Sequence, residues 1–262
     1  MLERPVKFKG SNFPEFTASQ YPGFTLGGFY QAPIPVVAPQ VAEVEYPGGQ
    51  VEFVFNSHGY RCREFDTLNT DYILIAGASL TEGAGLDQHE TWPVKLAHKL
   101  SCDFANLGKI GANAQFVSRN VINWLQQRNP PRAVVIQWPD AFRSIHWQDQ
   151  AGVFATSSMP DELFKAKILA SDNNFWQPWL DSVLVVDHLC KHMSLPCVHL
   201  CFEPPELLAP VADILYNHNV TFHMDQKQPG ATWHVDRGSR DGSHHSEWCN
   251  EQWADRLHAL LK

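Results

Sequence analysis

Tyr72-Ile73-Leu74-Ile75-Ala76 runs directly into Gly77-Ala78-Ser79-Leu80-Thr81-Glu82-Gly83-Ala84-Gly85. Five consecutive apolar residues ending in glycines read as a strand buried on both faces, as in a parallel sheet. Downstream the pattern repeats. Helices are expected over about 90–100 and 113–125, the latter keeping an apolar stripe at helical spacing. D-F-A-N-L (103–107) and A-V-V-I-Q-W (133–138) read as the second and third strands. Helical spacing returns over 175–193. Then come strand C-V-H-L-C-F (197–202), a helix over 205–217, strand V-T-F-H-M (220–224) and a last helix from about 247. Strands alternating with helices predict a three-layer α/β/α fold, flavodoxin-like, with a parallel sheet of about five strands. Such sheets carry their sites at the carboxyl ends of the strands, where the Ser79 loop falls.

Upstream, the chain changes character. Seven of the 18 prolines precede residue 50, and no helical period appears there. V-A-E-V-E-Y (41–46) and V-E-F-V-F-N (51–56) alternate as strands do, and Y-P-G-G between them is a turn, so a hairpin is expected. Residues 1–70 read as an extended, β-rich arm against a main domain spanning 71–262. The segment 140–172 has no period and reads as an insertion or lid.

Composition limits the function. The chain has 262 residues, 44% hydrophobic and 18% charged, which describes a globular protein. A formal charge of −8 disfavours a protein that grips a nucleic-acid backbone. No apolar run of 18 residues is present, so no membrane span is expected. The first ten residues lack the apolar core of a secretory signal, so a cytoplasmic location and six reduced cysteines are expected. Oligomeric state is not legible.

Ser79 sits among glycines between a strand and a helix. It could be a nucleophile, the loop could cradle a phosphate, or the turn could be structural. A dinucleotide site is disfavoured because the spacing is not G-x-G-x-x-G and no acidic residue ends the second strand. At the other end of the chain, Asp241-Gly242-Ser243-His244-His245-Ser246 lies between the last strand and the last helix. An Asp three residues before a His can accept the Nδ1 proton and leave Nε2 free as a base. A serine needs such a base to become nucleophilic. The two loops together favour catalysis.

These motifs resemble the SGNH (GDSL-like) hydrolases. Gly77–Gly85 is similar to that family's G-D-S-x-T-x-G-x-G block, with Ser79 as nucleophile. D-G-S-H (241–244) is similar to its D-x-x-H block, which implies Asp241 and His244 as the other catalytic residues. N-L-G-K-I-G-A-N (106–113) looks like the second block, which implies an oxyanion hole built from the amides of Ser79 and Gly111. N-S-H-G-Y-R (56–61) is similar to an N-x-x-G-x-R segment that often precedes the first block. The resemblance covers about 56–262 and implies an esterase or acyltransferase acting on a small-molecule or carbohydrate ester, an O-acetyl group among the candidates, with no cofactor.

Two positions depart from the family. Ala78 stands where an Asp precedes the serine. In the third block, Gln137-Trp138-Pro139-Asp140, the asparagine that donates to the oxyanion falls on Pro139, which has no donor. Asn113, Gln137 and Arg143 are the candidate replacements. A binding or structural protein of the same fold, with weakened catalysis, is therefore the alternative function, and a nucleotide-binding protein is a third.

His245 competes with His244 for the role of base. His188, Cys190, His192, Cys197, His199 and Cys201 are dense but have no zinc-ligand spacing, so no metal is expected. His218, His223 and His234 are isolated. Trp138, Trp147, Trp176, Trp179 and Trp233 are core residues or a wall for substrate.

Overall fold

Pro47 and Gly48 turn the chain between β1 (Gln40–Tyr46) and β2 (Gly49–Phe55), an antiparallel hairpin with Val44 opposite Val51. The computed structural model describes residues 40–141, 143–148, 151–155, 173–201, 211–224, 238–242 and 244–262. One face of the hairpin buries Tyr46, Val51, Phe53 and Phe55, the alternate positions that a two-residue period places together. Of the expected arm, residues 1–39 lie outside the described residues.

β3 (Tyr72–Ala76) follows, buried at every position. Its neighbours are β4 (Asp103–Asn106) on one side and β5 (Ala133–Trp138) on the other, all parallel. A hairpin, β6 (Ser144–Gln148) and β7 (Ala151–Ala155), stands apart from this sheet within the expected insertion. Residues 142, 149, 150 and 156–172 of that insertion lie outside the described residues. β8 (Cys197–Cys201) and β9 (Phe222–Met224) complete a five-stranded parallel sheet in the order β4-β3-β5-β8-β9.

The helices divide the sheet's side chains by strand parity. α1 (Ser79–Glu82) is one turn, and α2 (Trp92–Leu100) leads from β3 to β4. α3 (Ala114–Gln127) leads from β4 back to β5, and α4 (Asn173–His192) precedes β8. α5 (Ala212–Asn217) precedes β9, and α6 (Glu247–Leu261) ends the fold. Residues 205–211 of the helix expected before β9 fall largely outside the described residues, as does Phe202.

Ile73, Ile75, Val135 and Leu200 pack with Trp92, Leu96, Trp253 and Leu257 of α2 and α6. Leu74, Ala76, Val134 and Ile136 pack on the opposite face with Val117, Trp124, Trp179 and Val183 of α3 and α4. Crossovers between parallel strands are right-handed, so the reversal of travel after β4, back past β3 to β5, puts α3 on the face opposite α2. That reversal makes the carboxyl end of β3 the switch point of the sheet, where the loops of adjacent strands lead to opposite faces.

The indoles of Trp138, Trp176 and Trp179 belong to the core. Trp179 Nε1 donates to Pro139 O at 2.8 Å, and Trp138 Nε1 donates to His199 Nδ1 at 2.9 Å. Trp147 has no described side chain, and Trp233 lies outside the described residues. The exposed indole among the described residues is Trp248, on the first turn of α6.

None of the six cysteines is joined in a disulfide. Burial pushes Cys62 up to about 12, against a weaker opposing effect of the Asn106 carbonyl contact. Thiol titration of the unfolded, unreduced protein should therefore recover close to six groups. The folded protein should react slowly at Cys62 and Cys190, which are buried. Recovery of two or fewer on unfolding contradicts the absence of disulfides.

Candidate active site

Ser79 begins α1 at the carboxyl end of β3 and is 6% exposed. Its hydroxyl donates to His244 Nε2 at 2.8 Å. Nδ1–H of the same ring donates to Asp241 Oδ2 at 2.5 Å, which fixes the tautomer that leaves Nε2 as acceptor. It is His244, not His245, that faces Ser79. The carboxylate is itself held: Ser239 Oγ donates to Asp241 Oδ1 at 2.6 Å, and His244 N–H donates to it at 3.0 Å. Gly242 (φ +68) allows the tight turn between the two residues, and its N–H donates to Ser239 O at 3.0 Å.

Two loops far apart in sequence are joined just behind this relay. Arg240 N–H donates to Gly85 O at 2.9 Å, and Gly48 N–H from the hairpin donates to Arg240 O at 2.8 Å. The Arg240 guanidinium pairs with Glu90 at 2.6 Å and with Asp87 at 3.1 Å, which ties the Asp241 loop to the approach to α2. Gly85 (φ +74) lies so close to the carboxylate that a Cβ there would meet Asp241 Cγ at 2.8 Å. The last glycine of the Ser79 block is thus required by Asp241, 156 residues downstream.

The N-x-x-G-x-R segment serves the same loop from the other side. Asn56 Oδ1 accepts from His58 N–H and Tyr60 N–H, both at 3.0 Å, and shapes the turn. The buried Arg61 guanidinium then donates to four carbonyls: Gly83 and Leu86 at 2.7 Å, Glu52 at 2.8 Å and Glu82 at 3.3 Å. It clamps the loop after α1 to β2 and lies 4.2 Å over the Phe53 ring. Arg61, Ser239 and Arg240 carry no chemistry of their own, and sequence reasoning assigned them none. The N-x-x-G-x-R spacing was the available signal for the first.

Tyr46, at the end of β1, has a buried hydroxyl without a hydrogen-bond partner among the described residues. Burial pushes it up to about 12, with the Asp241 and Glu82 charges adding to the effect. It is held as the neutral phenol beside the carboxylate.

The amides of Ser79 and Gly111 have no acceptor among the described residues. Of the three candidates for a further donor, two are engaged elsewhere. Gln137 Oε1 accepts from Ala78 N–H at 3.2 Å and Thr81 Oγ1 at 3.1 Å, while its Nε2 donates to Trp138 O at 2.9 Å. It fastens a turn that has no carboxylate at Ala78. Arg143 Nε donates to Asp140 Oδ2 at 2.8 Å, and its Nη1 lies 3.5 Å from Ala112 O. Asn113 is buried and caps α3, accepting from Phe116 N–H at 2.8 Å. Its amide nitrogen has no acceptor among the described residues.

The histidines and cysteines weighed for metal form a different network. His199 Nδ1 accepts from Trp138, and its Nε2 lies 3.4 Å from Asp187 Oδ1 and 3.5 Å from Cys197 Sγ. Lys191 pairs with Asp187 at 2.7 Å. His188 and His218 rings touch at 5.3 Å between centroids. Among the described residues, no group of three such ligands can hold a metal ion. Among the same residues, no helix is long and apolar enough to cross a membrane. His223 has no described side chain, and His234 and Ser243 lie outside the described residues.

No family model matches the chain, and no curated protein does. Among solved structures the chain is similar to a G-D-S-L family protein from Desulfitobacterium hafniense, at 12% identity and a TM-score of 0.47, covering 73% of this chain and 99% of that one. It is also similar to a carbohydrate esterase family 2 enzyme with a carbohydrate-binding domain from Corynascus thermopiles (Myceliophthora fergusii). There the identity is 16% and the TM-score 0.46, over 74% of this chain and 66% of the other. An acetyl xylan esterase from Butyrivibrio proteoclasticus matches at 12% identity and a TM-score of 0.41, over 73% and 63% of the two chains. All three are distant likenesses.

Arg61→Ala should strand buried carbonyls of Glu52, Gly83 and Leu86. A loss of about 2–4 kcal/mol in unfolding free energy is expected by urea denaturation. Gly85→Ala should cost less stability, about 1–2 kcal/mol for the left-handed backbone. It should nevertheless remove most reactivity at Ser79, because the new methyl displaces Asp241. A fully reactive Gly85→Ala contradicts the close approach.

Proposed function

We propose that the chain hydrolyses a small acyl ester, with carbohydrate O-acetyl groups within the class, through Ser79, His244 and Asp241. The observation that carries this reading is the unbroken relay from the Ser79 hydroxyl through His244 to Asp241, at 2.8 and 2.5 Å. Ser79 Oγ attacks the ester carbonyl as His244 Nε2 takes its proton. The carbonyl oxygen becomes an oxyanion facing the amides of Ser79 and Gly111. His244 then gives the proton to the departing alcohol, with Asp241 stabilising the imidazolium until it does. Water adds to the acyl-serine by the same steps and releases the acid. A sugar hydroxyl in place of water would make the reaction a transfer. Each step uses groups of this chain and water.

Asn113 is the third donor in this proposal. Its oxygen is pinned by the α3 cap, which orients the amide nitrogen, and that nitrogen has no acceptor among the described residues. It stands in for the side chain that Pro139 cannot supply.

Hydrolysis of p-nitrophenyl acetate by a set of variants tests the roles. His244→Ala should lower kcat by about 10⁴ or more, and adding Ser79→Ala should cost little further, because the residues act as a unit. Asp241→Asn should be comparably severe through the wrong tautomer. Asn113→Ala should lower kcat by about 100-fold, and His245→Ala by only a few-fold. An inactive His245→Ala beside an active His244→Ala overturns the assignment of the base.

A further inference from the structure

We infer that Glu82 is a positioning residue, its buried carboxylate holding the Ile110 amide so that the Gly111 amide is aimed at the reacting carbonyl; this rests on the esterase reading above. Glu82 is the fourth residue of the helix that Ser79 begins, and it is fully buried. A buried carboxylate needs compensating donors. Its Oε2 accepts from Ile110 N–H at 2.5 Å, and its Oε1 lies 3.5 Å from Lys109 Nζ. Lys109 is buried as well, donates to Gly59 O at 2.6 Å and lies 4.9 Å over the Phe55 ring. The relay through Ser79, His244 and Asp241 uses neither charge, yet both are sealed behind the site.

The reason is legible in three consecutive amides. Ile110 N–H points to Glu82, and Ala112 N–H donates to Lys109 O at 3.0 Å. Between them Gly111 takes a left-handed turn at φ +77, and its own N–H, carried by the peptide plane it shares with Ile110, has no acceptor among the described residues. The orientation of Gly111 therefore depends on where Ile110 is held. Asn106 makes a second tie from the loop to the helix: its Nδ2 donates to Thr81 O at 2.9 Å, and its Oδ1 accepts from Gly108 N–H at 2.8 Å. The contact is close enough that a Cβ at Gly108 would meet Glu82 N at 2.6 Å. Ser79 and Gly111, the two amides of the proposed oxyanion hole, thus sit on segments cross-linked into one rigid unit. Positioning of this kind acts where charge develops, so it affects the transition state more than binding.

Steady-state hydrolysis of p-nitrophenyl acetate by variants with unchanged melting temperature tests the inference. Glu82→Gln keeps an oxygen in reach of Ile110 N–H and should retain kcat within about fivefold. Glu82→Asp withdraws the carboxylate by one methylene. It should lose about 100-fold in kcat with KM changed less than about threefold. Asn106→Ala should show the same kcat-selective loss, and it carries the test if Glu82→Asp does not fold. A folded Glu82→Asp or Asn106→Ala with wild-type kcat overturns the inference and leaves the esterase reading intact. So does a Glu82→Gln as impaired as Glu82→Asp, because charge rather than placement would then be at work. A wild type that turns over no ester overturns both.

Discussion

The hydrogen bond from Ser79 to His244 spans 165 residues of sequence at 2.8 Å, and most of what surrounds it exists to keep that distance. Closing so long a loop costs entropy that one hydrogen bond cannot repay. The sheet provides most of the closure, because β3 places Ser79 at a point where the chain reverses direction. Short contacts provide the rest. Arg240 N–H reaches Gly85 O, Gly85 lacks the Cβ that would push Asp241 away, and Arg61 gathers the Gly83 and Leu86 carbonyls on either side of Gly85. The hairpin is part of this arrangement. It supplies Phe53 beneath Arg61 and the Gly48 amide behind Arg240, so β1 and β2 brace the site they precede.

Much of this was legible in the sequence because it was written locally. The buried run at 72–76, the apolar stripe of α3 and the Asp-Gly turn at 241–242 each follow from neighbours within a few positions. Ser79 and His244 carried motifs, so their meeting could be anticipated. Arg240 could not be, since its partners Glu90 and Asp87 lie about 150 residues away and no spacing announces them. The tryptophans stayed open between core and substrate wall for a related reason: composition identifies them as large aromatics, but only the packing of α4 on β5 shows that Trp138 and Trp179 are core. Glu82 was hidden within a motif, at a position where the pattern specifies nothing.

Pro139 poses the chemical problem of the site, and the structure narrows the solutions. Gln137 and Arg143 are polar and nearby in sequence, yet each already serves a neighbour. Asn113 differs because its helix cap consumes only its oxygen. The proposed oxyanion hole, two backbone amides and this side chain, draws its donors from Ser79 and from the segment cross-linked to its helix. The buried Lys109 and Glu82 fit the same logic: a pair of opposite charges that leaves little net field and a fixed loop.

The most direct test of the central claim is the site of reaction with a fluorophosphonate probe, read by intact-mass and peptide mass spectrometry. Only a serine whose proton is taken by an adjacent base reacts readily with it. The account predicts one adduct per chain, located on Ser79 and lost in both Ser79→Ala and His244→Ala. No adduct on the folded wild type, or an adduct that persists in Ser79→Ala, would contradict it.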